Sequence, residues 1–292
     1  MESKSDQSPL IVVVGETASG KSALALRLAK RFNGEIICAD SWTVRCEVNI
    51  GTAKATPAER AQVPHHLLDI AGPCDNFTAA VFKGLAVQAV ADITLRGKVP
   101  IMVGGTGLYV DGVLFDYTFL PEPPSELREE LNQLSLKQLL VRIQEQELSL
   151  EGIDVRNKRR LIRLLESEGQ RPAHGAMRPY TLVMGITRPR EELKQRITAR
   201  VDDMVRRGLE QEVRQLVAAY GWECEALKGI GYQEWREYLA GTQDLPQVKQ
   251  RIIKNTLSLA KRQRTWFKRN PAIHWICNFE ESVDLVTTFL DK

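Results

Sequence analysis

The sequence lacks the usual marks of a metal cluster, a disulfide scaffold or a membrane segment. Its 292 residues include five cysteines, Cys38, Cys46, Cys74, Cys224 and Cys277, odd in number, far apart and never in C-x-x-C spacing. That distribution signals neither a zinc site nor a disulfide framework, and it makes a reducing compartment the default. Histidine is scarcer, with four in the chain. His65 and His66 have no cysteine or acid at ligand spacing, so a structural or hydrogen-bonding pair is expected there, with Asp69 placed to orient one imidazole. No apolar run approaches the roughly 20 residues of a membrane helix. The polar stretch Met1–Pro9 has neither signal-peptide nor presequence character and is expected to be disordered. A cytoplasmic protein without membrane contact is expected.

A large charge of one sign is also missing. Forty Lys and Arg against 37 Asp and Glu give +3, too little to mark a general polyanion binder. The charge is unevenly spread: residues 1–120 carry 11 basic and 12 acidic groups, 121–277 carry 28 and 21, and 278–292 carry 1 and 4. A hydrophobic fraction of 43% with 26% charged residues is that of a globular protein with a core.

What is present begins with Leu10–Val14, a continuous β-branched run suited to a buried parallel strand, followed by Gly15-Glu-Thr-Ala-Ser-Gly-Lys-Ser22 and then Leu24, Leu28 and Phe32 at helical spacing. Strands are expected again at 36–39, 99–103 and 180–185, with a helix from about 77 to 95 between the second and third. This alternation predicts an α/β parallel sheet with ligands at the C-terminal strand ends. The proline-rich Leu120–Pro124 opens a charged helical stretch, and long helices follow at about 190–219, 231–240 and 245–269. The expected organisation is a P-loop parallel-sheet core, residues 10–120 and 178–292, interrupted by a helical insertion over 121–177 and ending in C-terminal helices.

Gly15-x-x-x-x-Gly20-Lys21-Ser22 fits the phosphate-loop pattern in its required strand-to-helix context. Backbone N–H groups at Gly15, Thr17, Ala18, Ser19 and Gly20 can converge on phosphate oxygens, Lys21 supplies a charge, and the Ser22 hydroxyl can ligate Mg²⁺. The strand at 99–103 ends in Gly-Gly-Thr, so the acid so placed is Asp40, after the strand at 36–39. Its carboxylate could hold Mg²⁺, take a proton from a nucleophile, or cap a helix.

Read together, eight ordered segments carry a resemblance. They are the phosphate loop, Ala39-Asp-Ser41, Ile50-Gly-Thr-Ala-Lys54, His65-His-Leu-Leu-Asp-Ile70, Gly104-Gly-Thr-Gly-Leu-Tyr109, Arg160-Leu-Ile-Arg163, Gly229-Ile-Gly-Tyr232 and Ala260-Lys-Arg-Gln-Arg-Thr-Trp266. From about residue 10 to 270 the chain resembles the tRNA dimethylallyltransferases, also called tRNA isopentenyltransferases. The resemblance implies transfer of a dimethylallyl group from dimethylallyl diphosphate to N6 of the adenosine 3′ of the tRNA anticodon, position 37, with Mg²⁺ and release of diphosphate held by the loop. It implies Asp40 as general base, Thr17 beside the donor, and Arg200 as a diphosphate or channel contact. Ser41, Trp42, Thr43 and Thr106 fall near the target base, and Gly231 and Tyr232 on the tRNA side.

Two basic runs suit an anticodon stem-loop. The first, Arg156–Arg163, offers Arg159, Arg160 and Arg163, and the second, Lys261–Arg269, offers Lys261, Arg262, Gln263 and Arg264. Trp266 can stack on a base or pack inward, and packing is favoured for it and Phe267. The chain departs from the family pattern at Thr43, where a glutamine is usual and Thr offers no two-sided amide contact. It departs again at Glu16 and Ala55, where prolines are usual. A carboxylate at Glu16 repels a diphosphate unless it points away or meets Mg²⁺. The alternatives are prenylation of free adenine nucleotides, a tRNA-binding homologue with weakened catalysis, and a small-molecule kinase, which the absent acid after Val103 disfavours. A monomer is expected.

Overall fold

Leu10–Gly15 form β1, fully buried along its length, and the other long strands are buried over nearly all of theirs, with Glu35 of β2 as a charged exception. Strands buried on both faces require cover on both sides. The computed structural model, which describes residues 8–121 and 124–291, supplies that cover with helices. The disordered N-terminus expected over 1–9 falls largely outside the described residues.

After β1 come α1 (Lys21–Arg31), β2 (Gly34–Ala39), α2 (Pro57–Gln62), β3 (His65–His66), α3 (Ala79–Leu95), β4 (Val99–Gly104) and α4 (Gly107–Leu114). The insertion holds α5 (Ser125–Gln133), α6 (Leu136–Glu145) and α7 (Lys158–Glu166). The chain then forms β5 (Thr181–Ile186), α8 (Arg190–Arg206), α9 (Leu209–Tyr220), α10 (Arg236–Leu239), α11 (Leu245–Phe267), β6 (Ile273–Trp275) and α12 (Phe279–Leu290).

The sheet is all parallel in the order β3-β2-β4-β1-β5-β6. The chain leaves β1 for β2, skipping a place that β4 later fills, so ligands are expected at the C-terminal edge around β1, β4 and β2. Register confirms which loops meet there: Val14 pairs with Gly104, and Gly104 with Ala39. The phosphate loop, Asp40 and Thr106 therefore leave the sheet side by side.

One sheet face, including Ile11, Val13, Ile101 and Met184, packs against Leu24, Ala25 and Leu28 of α1 and Val286 of α12. A second cluster joins α8, α9 and α11 through Ile197, Val201, Val213, Val248 and Ile252 around Tyr232 and Trp235. The chain divides into two units, residues 1–114 with 177–292 and residues 115–176. The smaller unit has its own core of Leu131, Leu139, Ile143, Leu161 and Leu165. It begins at Phe115 rather than 121 because Thr118 N–H donates to Ala173 O (2.9 Å) and Gly175 N–H to Phe115 O (2.7 Å), which ties its two ends together.

Several sequence expectations change. The helix expected at 231–240 is a tight 3-10 turn, Gln233–Trp235, followed by the four-residue α10, because Tyr232 and Trp235 turn into the core there, and β3 was not foreseen. The helix expected across 190–219 is two helices, broken at Gly208, whose φ of 97° is a left-handed conformation open to glycine. β6 and α12 were not foreseen; α12 is capped by Asn278, with Glu280 and Glu281 in its first turn, so the acidic tail complements a helix N-terminus. Cys74 and Cys224, 150 residues apart in sequence, are joined in a disulfide, with Cα atoms 4.7 Å apart. Ala226 N–H donates to Pro73 O (3.0 Å) beside them, so a long-range meeting of two loops, invisible to spacing, makes the pair.

Candidate active site

The phosphate loop is shaped by its backbone. Ala18 (φ 62°) and Gly20 (φ 102°) are left-handed, and Gly20 caps α1 without any side-chain hydrogen bond. The first turn of α1 holds no acid, so its free N–H groups and helix dipole favour an anion from outside. Lys21 Nζ donates to Glu16 O (3.2 Å). Withdrawal from water is the main influence on Lys21 and lowers its ammonium to about 8, against the opposing attraction of Asp40 and with repulsion from Arg200. A diphosphate would raise it again.

Asp40 caps a turn rather than a helix. Oδ1 accepts from Trp42 N–H (2.9 Å) and Thr43 N–H (3.4 Å), capping the turn that follows β2. Oδ2 accepts no hydrogen bond from the described residues, and Asp40 borders two adjoining cavities of about 330 and 130 Å³. Thr17, Thr52 and Arg200 border both cavities as well. Lys21 and Ser22 line the smaller, together with Cys38, Thr43 and Leu68; Trp42, Gly231, Arg262 and Gln263 line the larger. Asp40 thus stands where a phosphate-side chamber meets a second one.

Arg200 crosses that junction. Its Nη1 donates to Thr17 Oγ1 (3.3 Å) and Nη2 to Thr52 O (3.2 Å). Burial lowers its pKa from the usual arginine value, against the stabilising charge of Asp40. Thr106 knits the strand ends: its Oγ1 accepts from Ser41 N–H (3.0 Å) and its N–H donates to Ala39 O (3.3 Å). A Cβ at Gly104 would overlap the Ala39 carbonyl, which explains glycine at this edge.

Gln263 and Arg264 of α11 turn toward the loop. Gln263, 8% exposed, accepts from Thr17 N–H (2.8 Å) and donates Nε2–H to Gly105 O (3.0 Å). Thr17 therefore offers its hydroxyl rather than its N–H to a ligand. Arg264 pairs with Glu16, whereas Lys261 and Arg262 are exposed. Trp266 donates Nε1–H to Asp111 Oδ2 (2.8 Å) and Phe267 is buried, the inward packing favoured for both. Trp42 lies against Gly229, where a Cβ would stand 2.9 Å from its ring. Gly231 (φ 100°) donates N–H to Glu234 (2.8 Å), and Tyr232 is fully buried. In the insertion Arg159 and Arg160 are exposed, and Arg163 donates to Leu120 O (3.1 Å).

One organising residue had no sequence signal. Glu212 on α9 accepts from Asn49 (3.1 Å), Ile50 (2.9 Å) and Gly51 (3.1 Å) N–H groups and from the Tyr232 hydroxyl (2.7 Å). It fixes the loop that presents Thr52 to Arg200. Burial first, then Glu212, push the Tyr232 hydroxyl far above its ordinary pKa, so it stays a donor. Asp69 does not orient a histidine: it pairs with Lys54 (2.5 Å) and Arg60 (2.7 Å), while His66 meets Glu35 (2.7 Å). Among the described residues no group of three His, Cys, Asp or Glu could hold a metal, and no helix is long and apolar enough to cross a membrane.

Fold and site together define an α/β protein in which a glycine-rich strand-to-helix loop opens beside a half-buried carboxylate with one oxygen engaged. The family model described as IPP transferase matches residues 44–270. The chain is 39% identical over 281 residues to a tRNA dimethylallyltransferase of Geobacillus thermodenitrificans, covering 91% of this chain and 89% of that one. It is 38% identical to a tRNA dimethylallyltransferase of Staphylococcus aureus, with 96% and 97% covered. The crystal structure of a tRNA isopentenylpyrophosphate transferase from Bacillus halodurans matches with a TM-score of 0.74 and 34% identity, over 98% of this chain and 96% of that one. A eukaryotic dimethylallyltransferase acting on tRNA matches with a TM-score of 0.72 and 28% identity, over 89% and 70%. The chain belongs to the IPP transferase family.

Proposed function

We propose that this protein is a tRNA prenyltransferase: it moves the dimethylallyl group of dimethylallyl diphosphate to N6 of the adenosine 3′ of the anticodon, position 37, and releases diphosphate. The observation that carries the proposal is Asp40, one oxygen locked in a turn and the other unengaged, where two cavities join.

The exocyclic amine is a weak nucleophile because its lone pair is delocalised into the ring. As the N6–C1 bond forms and the C1–O bond breaks, the free oxygen of Asp40 takes the N6 proton. Charge building on the departing diphosphate is met by Lys21, the N–H groups opening α1, and Arg200, all fixed before reaction. Thr17, its oxygen already accepting from Arg200, keeps its own O–H to donate. Ser22, exposed in the first turn of α1 and lining the smaller cavity with Lys21, would hold Mg²⁺ beside the diphosphate. When bound, the ion neutralises charge on the leaving group. Exposed Lys261 and Arg262 in the core, and Arg159 and Arg160 in the insertion, are the proposed tRNA phosphate contacts. The protein is taken to act as a cytoplasmic monomer, a compartment in which the Cys74–Cys224 bond is open to reduction.

The test is incubation with labelled dimethylallyl diphosphate, Mg²⁺ and unmodified tRNA bearing adenosine 3′ of the anticodon, beside parallel reactions with AMP, ADP and ATP. Label in tRNA supports the proposal. Label in free nucleotide alone overturns it in favour of nucleotide prenylation, and label in neither contradicts both.

A further inference from the structure

Glu16 is the residue of the phosphate loop that anion binding does not explain. It belongs to a loop suited to negative charge, is 1% exposed, and borders a separate cavity with Arg264 rather than the two at Asp40, yet its charge acts on Lys21. Its Oε1 accepts from Arg264 Nε, and its Oε2 is buried without a hydrogen-bond partner among the described residues. A carboxylate removed from water is costly to keep as an anion unless a countercharge lies beside it.

Arg264 is placed for that task in more than one way. Its Nη2 donates to Arg188 O (2.8 Å), and Arg188 Nε in turn donates to Ser19 O (3.1 Å). The guanidinium therefore spans Glu16 near the start of the loop and, through Arg188, Ser19 near its end. The preceding residue, Gln263, holds Thr17 N–H between them. Two consecutive α11 side chains thus grip one side of the loop, while Lys21 reaches back to Glu16 O from within it. Lys261 and Arg262, in the same basic run, are exposed.

We propose that Arg264 acts as the counter-ion of Glu16, cancelling a carboxylate that would otherwise repel the diphosphate and fixing the loop in its binding shape. Arg264 is then a positioning residue for the donor site, and nucleic acid is left to Lys261 and Arg262. The inference rests on the diphosphate reading above.

A compensation experiment separates counter-ion from tRNA contact. Pyrophosphate binding is measured by calorimetry on the parent, Arg264→Gln, and the double variant Glu16→Gln/Arg264→Gln, with KM for dimethylallyl diphosphate and for tRNA measured on each. Arg264→Gln leaves a buried charge uncompensated and weakens pyrophosphate binding by about tenfold or more, the order expected of one unit charge beside an anion at an effective dielectric of about 20. The double variant removes the offending charge and recovers most of that loss. KM for the diphosphate follows the same pattern, while KM for tRNA stays within about threefold, less than the loss of a direct phosphate contact on nucleic acid. A double variant as weak as the single, an Arg264→Gln protein that binds pyrophosphate normally, or a defect confined to KM for tRNA overturns the pairing role. Should Arg264→Gln not fold, the double variant decides alone: folded and binding supports compensation, and unfolded contradicts it. A parent protein that neither binds pyrophosphate nor transfers the prenyl group overturns the diphosphate reading and the inference with it.

Discussion

Asp40→Asn separates the two jobs of the candidate base. Asparagine keeps an Oδ1 able to accept from Trp42 N–H and Thr43 N–H, bonds of 2.9 and 3.4 Å in the parent, so the turn after β2 survives. What is lost is the free carboxylate oxygen facing the two cavities. A positioned general base contributes about 10²–10⁴-fold, or about 3–5 kcal/mol of barrier, and kcat should fall by that amount. KM for the diphosphate should hold or fall, because a negative charge beside an anion site has gone. The Asp40 charge also raises the pKa of Lys21, which stands at about 8, so the variant's lysine titrates lower still. Single-turnover transfer at pH 7 with both substrates saturating therefore isolates the base. Asp40→Ala provides the complement: it loses the turn bonds as well and costs about 1 kcal/mol more in unfolding free energy than Asn. An Asp40→Asn protein with kcat within about threefold of the parent would refute the base assignment, since a base contributes far more than that.

Four further outcomes follow from the same geometry. Diphosphate binding favours protonated Lys21, whose free pKa is about 8, so kcat/KM for the diphosphate should be flat below that pH and decline above it; a profile flat to pH 9.5 would contradict the lysine's role. Gly105→Ala should displace the Gln263 amide, freeing Thr17 N–H and costing about 1–3 kcal/mol in chemical denaturation, and an unchanged midpoint would show that the bridge yields without strain. Glu212→Ala should strip three backbone N–H groups and the buried Tyr232 hydroxyl of their acceptor and destabilise by about 2–4 kcal/mol, with Arg200 losing its hold on Thr52; thermal melting with diphosphate KM measures both. Reduction of Cys74–Cys224, which closes a loop of 150 residues, should lower unfolding free energy by about 2–4 kcal/mol, and a melting temperature indifferent to reductant would count against a bonded pair.

The parts of this molecule that were legible in its sequence are those whose cause is local. A β-branched run, a glycine loop and a helical stripe within about twenty consecutive residues specify strand, anion cradle and helix because each signal lies next to the structure it makes. Asp40 was legible for the same reason: it follows a strand whose C-terminal end must lie at the ligand edge. The break at Gly208 was missed because the apolar spacing of α8 and α9 continues across it while one left-handed glycine turns the chain. α12 was missed because the acids that favour its first turn read as a polar tail.

The support of the site was not legible, since it consists of pairs far apart in sequence. Gln263 meets Thr17 across 246 residues and Arg264 meets Glu16 across 248, so no window of the chain contains both members. Read singly, Gln263 and Arg264 were basic-run residues suited to tRNA, and Glu16 was an acid in the wrong place. Glu212 was one acid among many on an amphipathic helix until the fold aimed three N–H groups at it. Family resemblance implied roles for Asp40 and Arg200, and the fold brings both to the same two cavities.

The most direct test of the account is mass spectrometry of tRNA nucleosides after incubation with the protein, dimethylallyl diphosphate and Mg²⁺. N6-dimethylallyladenosine is expected at the position 3′ of the anticodon, absent when that adenosine is replaced by guanosine and strongly reduced when Asp40→Asn replaces the parent. Prenylated nucleoside at some other position, or none in any tRNA offered, would contradict it.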